Sequence, residues 1–224
     1  MSINTVEKID DLIKINNVLV SVSDKKNLET FIPQLVEINP EIKIFSTGGT
    51  FARLKEILGE KTKRLIQVSD YTGQPETQGG LVKTLDFKIY LGILTETYND
   101  SHKADLERTK SVPIDMVVVN LYPFKETISK QGVTVEDARG NIDIGGPCMI
   151  RASAKNYLRV ASVVDSKDYA GIIAELKENN NTISLKSRFE LAKKAFAHTA
   201  EYDKRIADFL SGKNYEEMSR CYKM

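Results

Sequence analysis

The chain has 224 residues, 41% of them hydrophobic, enough to bury one substantial core. Thirty-two basic residues nearly balance 31 acidic ones, so no global field draws the chain to nucleic acid or to an anionic membrane, and charge-based recognition must be local. Two cysteines, Cys148 and Cys221, and two histidines, His102 and His198, lie scattered, which excludes a disulfide framework and a zinc spacing.

The opening run "MSINTVEKIDDLIKINN" alternates charges with aliphatics and lacks the apolar core of a signal peptide, and no apolar stretch reaches the ~18 residues of a membrane span. A cytoplasmic protein is expected. "NVLVSVS" at 17–23 reads as a buried strand, and "LETFIPQLVEI" at 28–38 carries apolar residues at helical spacing. "IKIFS", a helix-like "TFARLKEIL" and the short "RLIQVS" follow, then a long irregular stretch and "IDMVVVNLYPF" at 114–124. The run Val117-Val118-Val119 is β-branched without polar alternation, as in strands covered on both faces. "VASVVD" at 160–165 is another strand, followed by a helix through "KDYAGIIAELKE". The polar "NNNT" at 179–182 reads as a linker. Beyond it Leu185, Phe189, Ala192, Phe196, Thr199, Tyr202, Ile206 and Phe209 mark one long amphipathic helix.

These elements predict an α/β fold: a parallel sheet with helices on both faces over 1–178, and a helical C-terminal extension over 179–224. In such sheets a ligand sits beyond the carboxyl ends of the strands. Here those ends are Ser21-Val22-Ser23-Asp24-Lys25, Ser46-Thr47-Gly48-Gly49-Thr50, Asn120-Leu121-Tyr122-Pro123 and the run "NIDIGGP" at 141–147. Hydroxyls, amides and free N–H groups beside helix starts favour an anion, and glycine lets the backbone approach a phosphate closely. The first two loops read as a phosphate cradle. Taken singly, each also reads as a tight turn with a helix cap, Thr50 in one and Ser23 or Asp24 in the other.

The segments "SVSDK", "STGGT", "VSDYTGQPE", "GGLVKTL", "VVVNLYPF", "NIDIGGP", "IRASAKN" and "RFELAKKAFAHTAEYD" resemble, in order and along nearly the whole chain, the inosine monophosphate (IMP) cyclohydrolase domain of the bifunctional purine-biosynthesis enzyme. The resemblance implies a methylglyoxal synthase-like, three-layer Rossmann-like fold and a homodimer. It implies dehydrative ring closure of 5-formamidoimidazole-4-carboxamide ribotide to IMP, with no cofactor, no metal, no nucleic acid and no membrane. With the sequence ending at Met224, it further suggests a stand-alone cyclohydrolase supplied by a separate formyltransferase polypeptide.

By the same resemblance Lys83 stabilises charge on the carboxamide oxygen, Tyr122 hydrogen-bonds the formyl oxygen, and Asp143 and Lys155 form a coupled proton-transfer pair. Ser21, Val22, Ser23, Lys25, Ser46, Thr47, Gly48, Gly49 and Thr50 hold phosphate and ribose, and Thr84, next to Lys83, is a further substrate-binding residue. Asn120, Leu121, Ile144, Gly145 and Gly146 frame the base. The chain departs from the family at Leu81, where an arginine is usual, at Asp86 and Tyr90, where histidines are usual, and at Gln74, where an aromatic is usual. Two other readings share the fold: methylglyoxal synthase itself, disfavoured by the placement of the two histidines, and a non-catalytic nucleotide-sensing module, disfavoured by the intact Lys83, Tyr122, Asp143 and Lys155.

Overall fold

The Val117-Val118-Val119 run lies in an inner strand of a parallel five-stranded sheet in the computed structural model, which describes residues 5–74 and 83–223. In chain order the first half comprises β1 (Leu12–Lys14), β2 (Asn17–Val22), α1 (Leu28–Ile38), β3 (Lys43–Ser46), α2 (Gly48–Leu58), β4 (Leu65–Gln67), α3 (Val68–Thr72), α4 (Phe87–Leu94) and α5 (Asp100–Thr109). The second half comprises β5 (Met116–Asn120), α6 (Phe124–Ile128), α7 (Val135–Gly140), α8 (Gly145–Lys155), β6 (Ala161–Val163), α9 (Tyr169–Glu178), β7 (Thr182–Ser184), α10 (Leu185–Ser211) and α11 (Tyr215–Ser219). The sheet order is β4-β3-β2-β5-β6, all parallel, and it reverses direction of growth at β2, between β3 and β5.

The period-two geometry of a strand sends alternate side chains to opposite layers. Val18 and Val20 of β2, Ile44 of β3 and Val118 of β5 pack with Phe31, Ile32 and Leu35 of α1 and with Ile172, Ile173 and Leu176 of α9. Their neighbours Leu19, Phe45, Val117 and Val119 enter the other layer, against Ile89 and Ile93 of α4, Met149 and Ile150 of α8 and Ala192 and Ala195 of α10. Strands covered on both faces explain why the sheet sequences show no polar alternation.

Three buried charges, Asp115, Arg159 and Arg188, tie the rear of the sheet. Asp115 accepts from the backbone N–H groups of Asn16 and Asn17, each at 2.9 Å, and from Arg159 Nη1 at 3.0 Å. Arg188 of α10 is fully buried and donates to five backbone carbonyls, those of Asp10, Asp11, Tyr157, Leu158 and Ile183.

The 179–182 run is a tight turn rather than a loose linker. Asn180 and Asn181 adopt left-handed φ of 53° and 66°, which asparagine tolerates, and the Asn181 amide donates to Ile15 O. Thr182–Ser184 then pairs antiparallel with β1, and α10 packs against α8 and β6. Most of the apolar stripe of α10 is therefore covered within the chain, at Leu191, Ala192, Ala195, Thr199 and Tyr202, while Phe189 and Phe196 remain exposed. Among the described residues no helix is long and apolar enough to cross a membrane.

Candidate functional site

The carboxyl ends of β2, β3 and β5 open into a cavity of about 640 Å³, closed on its far side by the segment from α7 to the start of α8. This is the crevice that an open parallel sheet leaves where the strand order reverses. On one wall stands the first turn of α2. Thr47 is its N-cap in extended conformation, and Gly48, at φ +49°, begins the helix in a backbone region that L side chains rarely adopt. The N–H groups of Gly48 and Gly49 have no intrahelical acceptor, which leaves donors and the positive end of the helix facing the cavity.

The hydroxyls of this loop divide into two groups. Ser46 is fully buried and donates to Val20 O at 2.7 Å. Thr50 donates to Val22 O at 2.9 Å and accepts from Val22 N at 3.1 Å. Both are spent on joining β3 and α2 to β2, and Thr50 is not the helix cap. Thr47 and Ser21, 3.3 Å apart through their hydroxyl oxygens, line the cavity together with Ser23. The Asn120 side chain is also structural: its Oδ1 accepts from Ser23 N and Asp24 N, and its Nδ2 donates to Asp24 O, which fixes the β2 exit loop against the end of β5.

Two lysines reach this wall. Lys83 Nζ lies 3.2 Å from where a Cβ on Gly48 would stand, and Lys25 Nζ lies 4.0 Å from the same point on Gly49. A Cβ on Gly48 would stand tight against the Lys83 ammonium, whereas at Gly49 the distance to Lys25 is ordinary van der Waals contact. Thr84, buried beside Lys83, has its hydroxyl 2.8 Å from the Cβ position of Gly145, so a side chain there would displace it.

The opposite wall carries Tyr122, Asp143 and Ile144. Tyr122 is 49% exposed, with its ring at the cavity. Asp143 is partly buried, and burial pushes its carboxyl above the ordinary carboxylate range, against the opposing pull of the N–H groups of Gly146 and Tyr122. Its Oδ1 accepts from Gly146 N at 2.8 Å, and its own N–H donates to the Tyr202 hydroxyl at 2.8 Å. Through Tyr202, helix α10 holds the loop that carries the carboxylate.

The structure brings together in this cavity Ser21, Val22, Ser23, Lys25, Thr47, Gly48, Gly49, Thr50, Lys83, Thr84, Asn120, Tyr122, Asp143, Ile144, Gly145 and Gly146. Ser46 and Leu121 lie behind it in the core. Lys155 does not join them: it is the last residue of α8, exposed, about 15 Å of helix rise from Gly145 at the cavity, and it makes no charge interaction with Asp143. Leu81 and Gln74's neighbours from 75 onward lie outside the described residues up to 82, so the altered "GGLV" segment has no structural account. Arg139, Ile142, Leu85 and Met149 line the cavity without having been singled out from the sequence. Arg139 was open to detection as the cation nearest before "NIDIGG", but Leu85 and Met149 carry only an ordinary apolar signal.

A parallel sheet in this order, with a polar cavity at the strand ends beside a glycine-started helix, defines a three-layer α/β domain whose ligand crevice is lined by lysines and free backbone donors. A family model described as the MGS-like domain matches residues 27–148, and the chain belongs to that family. Residues 153–224 match a second model, described as the AICARFT/IMPCHase bienzyme. Among curated relatives the chain is 47% identical over 197 residues to the bifunctional purine biosynthesis protein PurH of Bacillus subtilis (strain 168), covering 88% of this chain and 37% of that protein. It is 50% identical over 196 residues to PurH of Thermoanaerobacter sp. (strain X514), with the same coverage. The chain thus spans little more than a third of the length of these relatives. Among solved structures it superposes on the crystal structure of ForH with a TM-score of 0.77 at 28% identity, covering 88% of this chain and 97% of that one.

Proposed function

We propose that this chain is an IMP cyclohydrolase, closing the purine ring of 5-formamidoimidazole-4-carboxamide ribotide with loss of water, in the final stage of purine biosynthesis. The observation that carries the reading is the convergence of Lys83, Tyr122 and Asp143 on one cavity beside the donor-rich first turn of α2. The similarity to bifunctional purine biosynthesis proteins supports it.

The chemistry has two obstacles, since an amide nitrogen is a weak nucleophile and a formamide carbon a reluctant electrophile. Both groups sit on one molecule, so holding them in the ring-closing rotamer supplies part of the acceleration. The 5′-phosphate lies on the Gly48 and Gly49 N–H groups with Lys25, which places the base toward Tyr122 and Asp143. Lys83 stabilises negative charge on the carboxamide oxygen and so raises electron density on the attacking nitrogen. As the N–C bond forms, the formyl C=O bond opens to an alkoxide that accepts a hydrogen bond from the Tyr122 hydroxyl. Asp143 takes the proton shed by the attacking nitrogen and returns one to the alkoxide oxygen. The former formamide N–H gives up its proton, which passes through Asp143 to the hydroxyl, and the hydroxyl departs as water as the ring C=N bond forms. A carboxyl raised by burial is suited to both halves of this exchange. Lys155, at the far end of α8, takes no direct part in it.

The domain is proposed to work as a single unit with its C-terminal helix, because Tyr202 of α10 positions the Asp143 loop. We further propose a homodimer, with the exposed Phe189 and Phe196 of α10 at the contact. Light scattering at micromolar concentration should give twice the chain mass, and a monomer would refute the dimer. For the reaction, incubating the formylated ribotide with the purified chain should yield a product lighter by one water. Unchanged substrate would refute the cyclohydrolase reading.

A further inference from the structure

We propose that Arg139 is a ligand-contacting residue of this cavity, aimed by Glu136 and Tyr222, and that its guanidinium grips a carbonyl oxygen at the base end of the bound nucleotide. The inference rests on the reading above for the ligand's class, and adds a binding residue and the contacts that position it.

Arg139 lies on α7, on the wall that also carries Asp143, whereas Lys25 and Lys83 meet at the first turn of α2. It therefore adds a cation on the side of the cavity that carries Asp143. Its Nε and Nη2 donate to the two carboxylate oxygens of Glu136, each at 2.6 Å. Such a fork-to-fork pair fixes the plane of the guanidinium. Nη1 is left without a protein acceptor among the described residues, and a guanidinium nitrogen has two hydrogens to offer there.

An exposed pair one helical turn apart ordinarily contributes little. This one has a third member. The Tyr222 hydroxyl, 86 residues further along the chain, donates to Glu136 Oε2. The hydrogen bonds from Arg139 and then Tyr222 hold the Glu136 carboxyl down at about 2, so it stays charged at working pH. The segment after α10 is thus latched onto α7, with α11 adjoining it. Three side chains from two distant stretches are thus ordered around one guanidinium, on a residue that lines the cavity. Chains of this kind place a donor where a ligand oxygen is to be met, and a carbonyl accepts from Nη1 in the plane of the guanidinium.

Calorimetry on the full chain tests the proposal with two ligands, IMP and ribose 5-phosphate. Arg139→Gln should weaken IMP about tenfold while leaving ribose 5-phosphate within about twofold of the wild type. Arg139→Lys, which keeps the charge but loses the fork, should recover only part of the loss. Tyr222→Phe should weaken IMP about threefold, and should add nothing in the Arg139→Gln background, because an aiming residue has no effect without the group it aims. Unchanged IMP affinity in Arg139→Gln, or an equal loss for ribose 5-phosphate, would overturn the assignment, and a Tyr222→Phe effect that persists without Arg139 would overturn the aiming role. A wild-type chain that binds ribose 5-phosphate but not IMP would instead fail the nucleotide reading itself, and this proposal with it.

Discussion

Asp143 and Gly146 hold each other in place. The Asp143 carboxylate accepts the Gly146 N–H at 2.8 Å through Oδ1, and a Cβ on Gly146 would stand 2.6 Å from Asp143 Oδ2 and 2.6 Å from Leu121 Cδ2. Only glycine leaves the carboxylate where it is. Gly146→Ala should therefore displace the carboxylate proposed to transfer protons, lowering turnover roughly tenfold or more while product affinity, proposed to be set mainly at the α2 wall, changes far less. Steady-state kinetics beside calorimetry gives the comparison; wild-type turnover in the variant would mean that the position of the carboxylate does not matter.

Asp143 also gives a pH signature. Burial raises its carboxyl pKa in the folded state, so the native protein binds that proton more tightly than the unfolded chain does. The stability tied to the proton is fully present below the ordinary carboxyl value of about 4 and is lost as pH rises through the raised native value. Asp143→Asn removes this loss. Its melting temperature relative to wild type should climb as pH goes from about 3.5 to neutral, even as turnover falls, a trade of stability for activity common at catalytic sites. A difference that stays flat or shrinks with pH would show that the carboxyl is not destabilised by burial.

The proposed roles divide by kinetic parameter. Lys83→Ala and Tyr122→Phe should lower turnover more than they weaken binding, because their interactions strengthen in the transition state. Ser23→Ala and Thr47→Val should weaken binding by about 1 kcal/mol for each neutral hydrogen bond lost to the ligand. Equal effects on affinity from both sets would remove the catalytic assignment.

Arg188 is the structural counterpart. Replacing it with methionine keeps apolar bulk but leaves five carbonyls without their donor, and should cost about 3–5 kcal/mol in urea unfolding. A loss under about 1 kcal/mol would mean that water takes over these carbonyls.

The Val117-Val118-Val119 strand, the glycine turn at 46–50 and the length of α10 are legible in the residues, because each follows from a local period or a backbone requirement. The division of labour among hydroxyls is not. Whether Ser46 and Thr50 face a ligand or bond β2 depends on the register between β2 and β3, which no local pattern encodes. The distance between Asp143 and Lys155 was open to inference, since α8 starts only at Gly145 and carries Lys155 to its other end. The position of Arg139 just before "NIDIGG" is readable in the sequence but its pairing with Tyr222 is not, and the 179–182 run resembles a linker because asparagines serve tight left-handed turns as well as loose ones.

The measurement that bears most directly on the central claim is ring closure followed by ultraviolet absorbance, with purified chain and 5-formamidoimidazole-4-carboxamide ribotide. The wild type should form IMP, and Asp143→Asn and Lys83→Ala should each slow it by about a hundredfold or more while still binding the product. Tight binding of IMP by the wild type with no detectable ring closure would contradict the account and leave a nucleotide-sensing domain in its place.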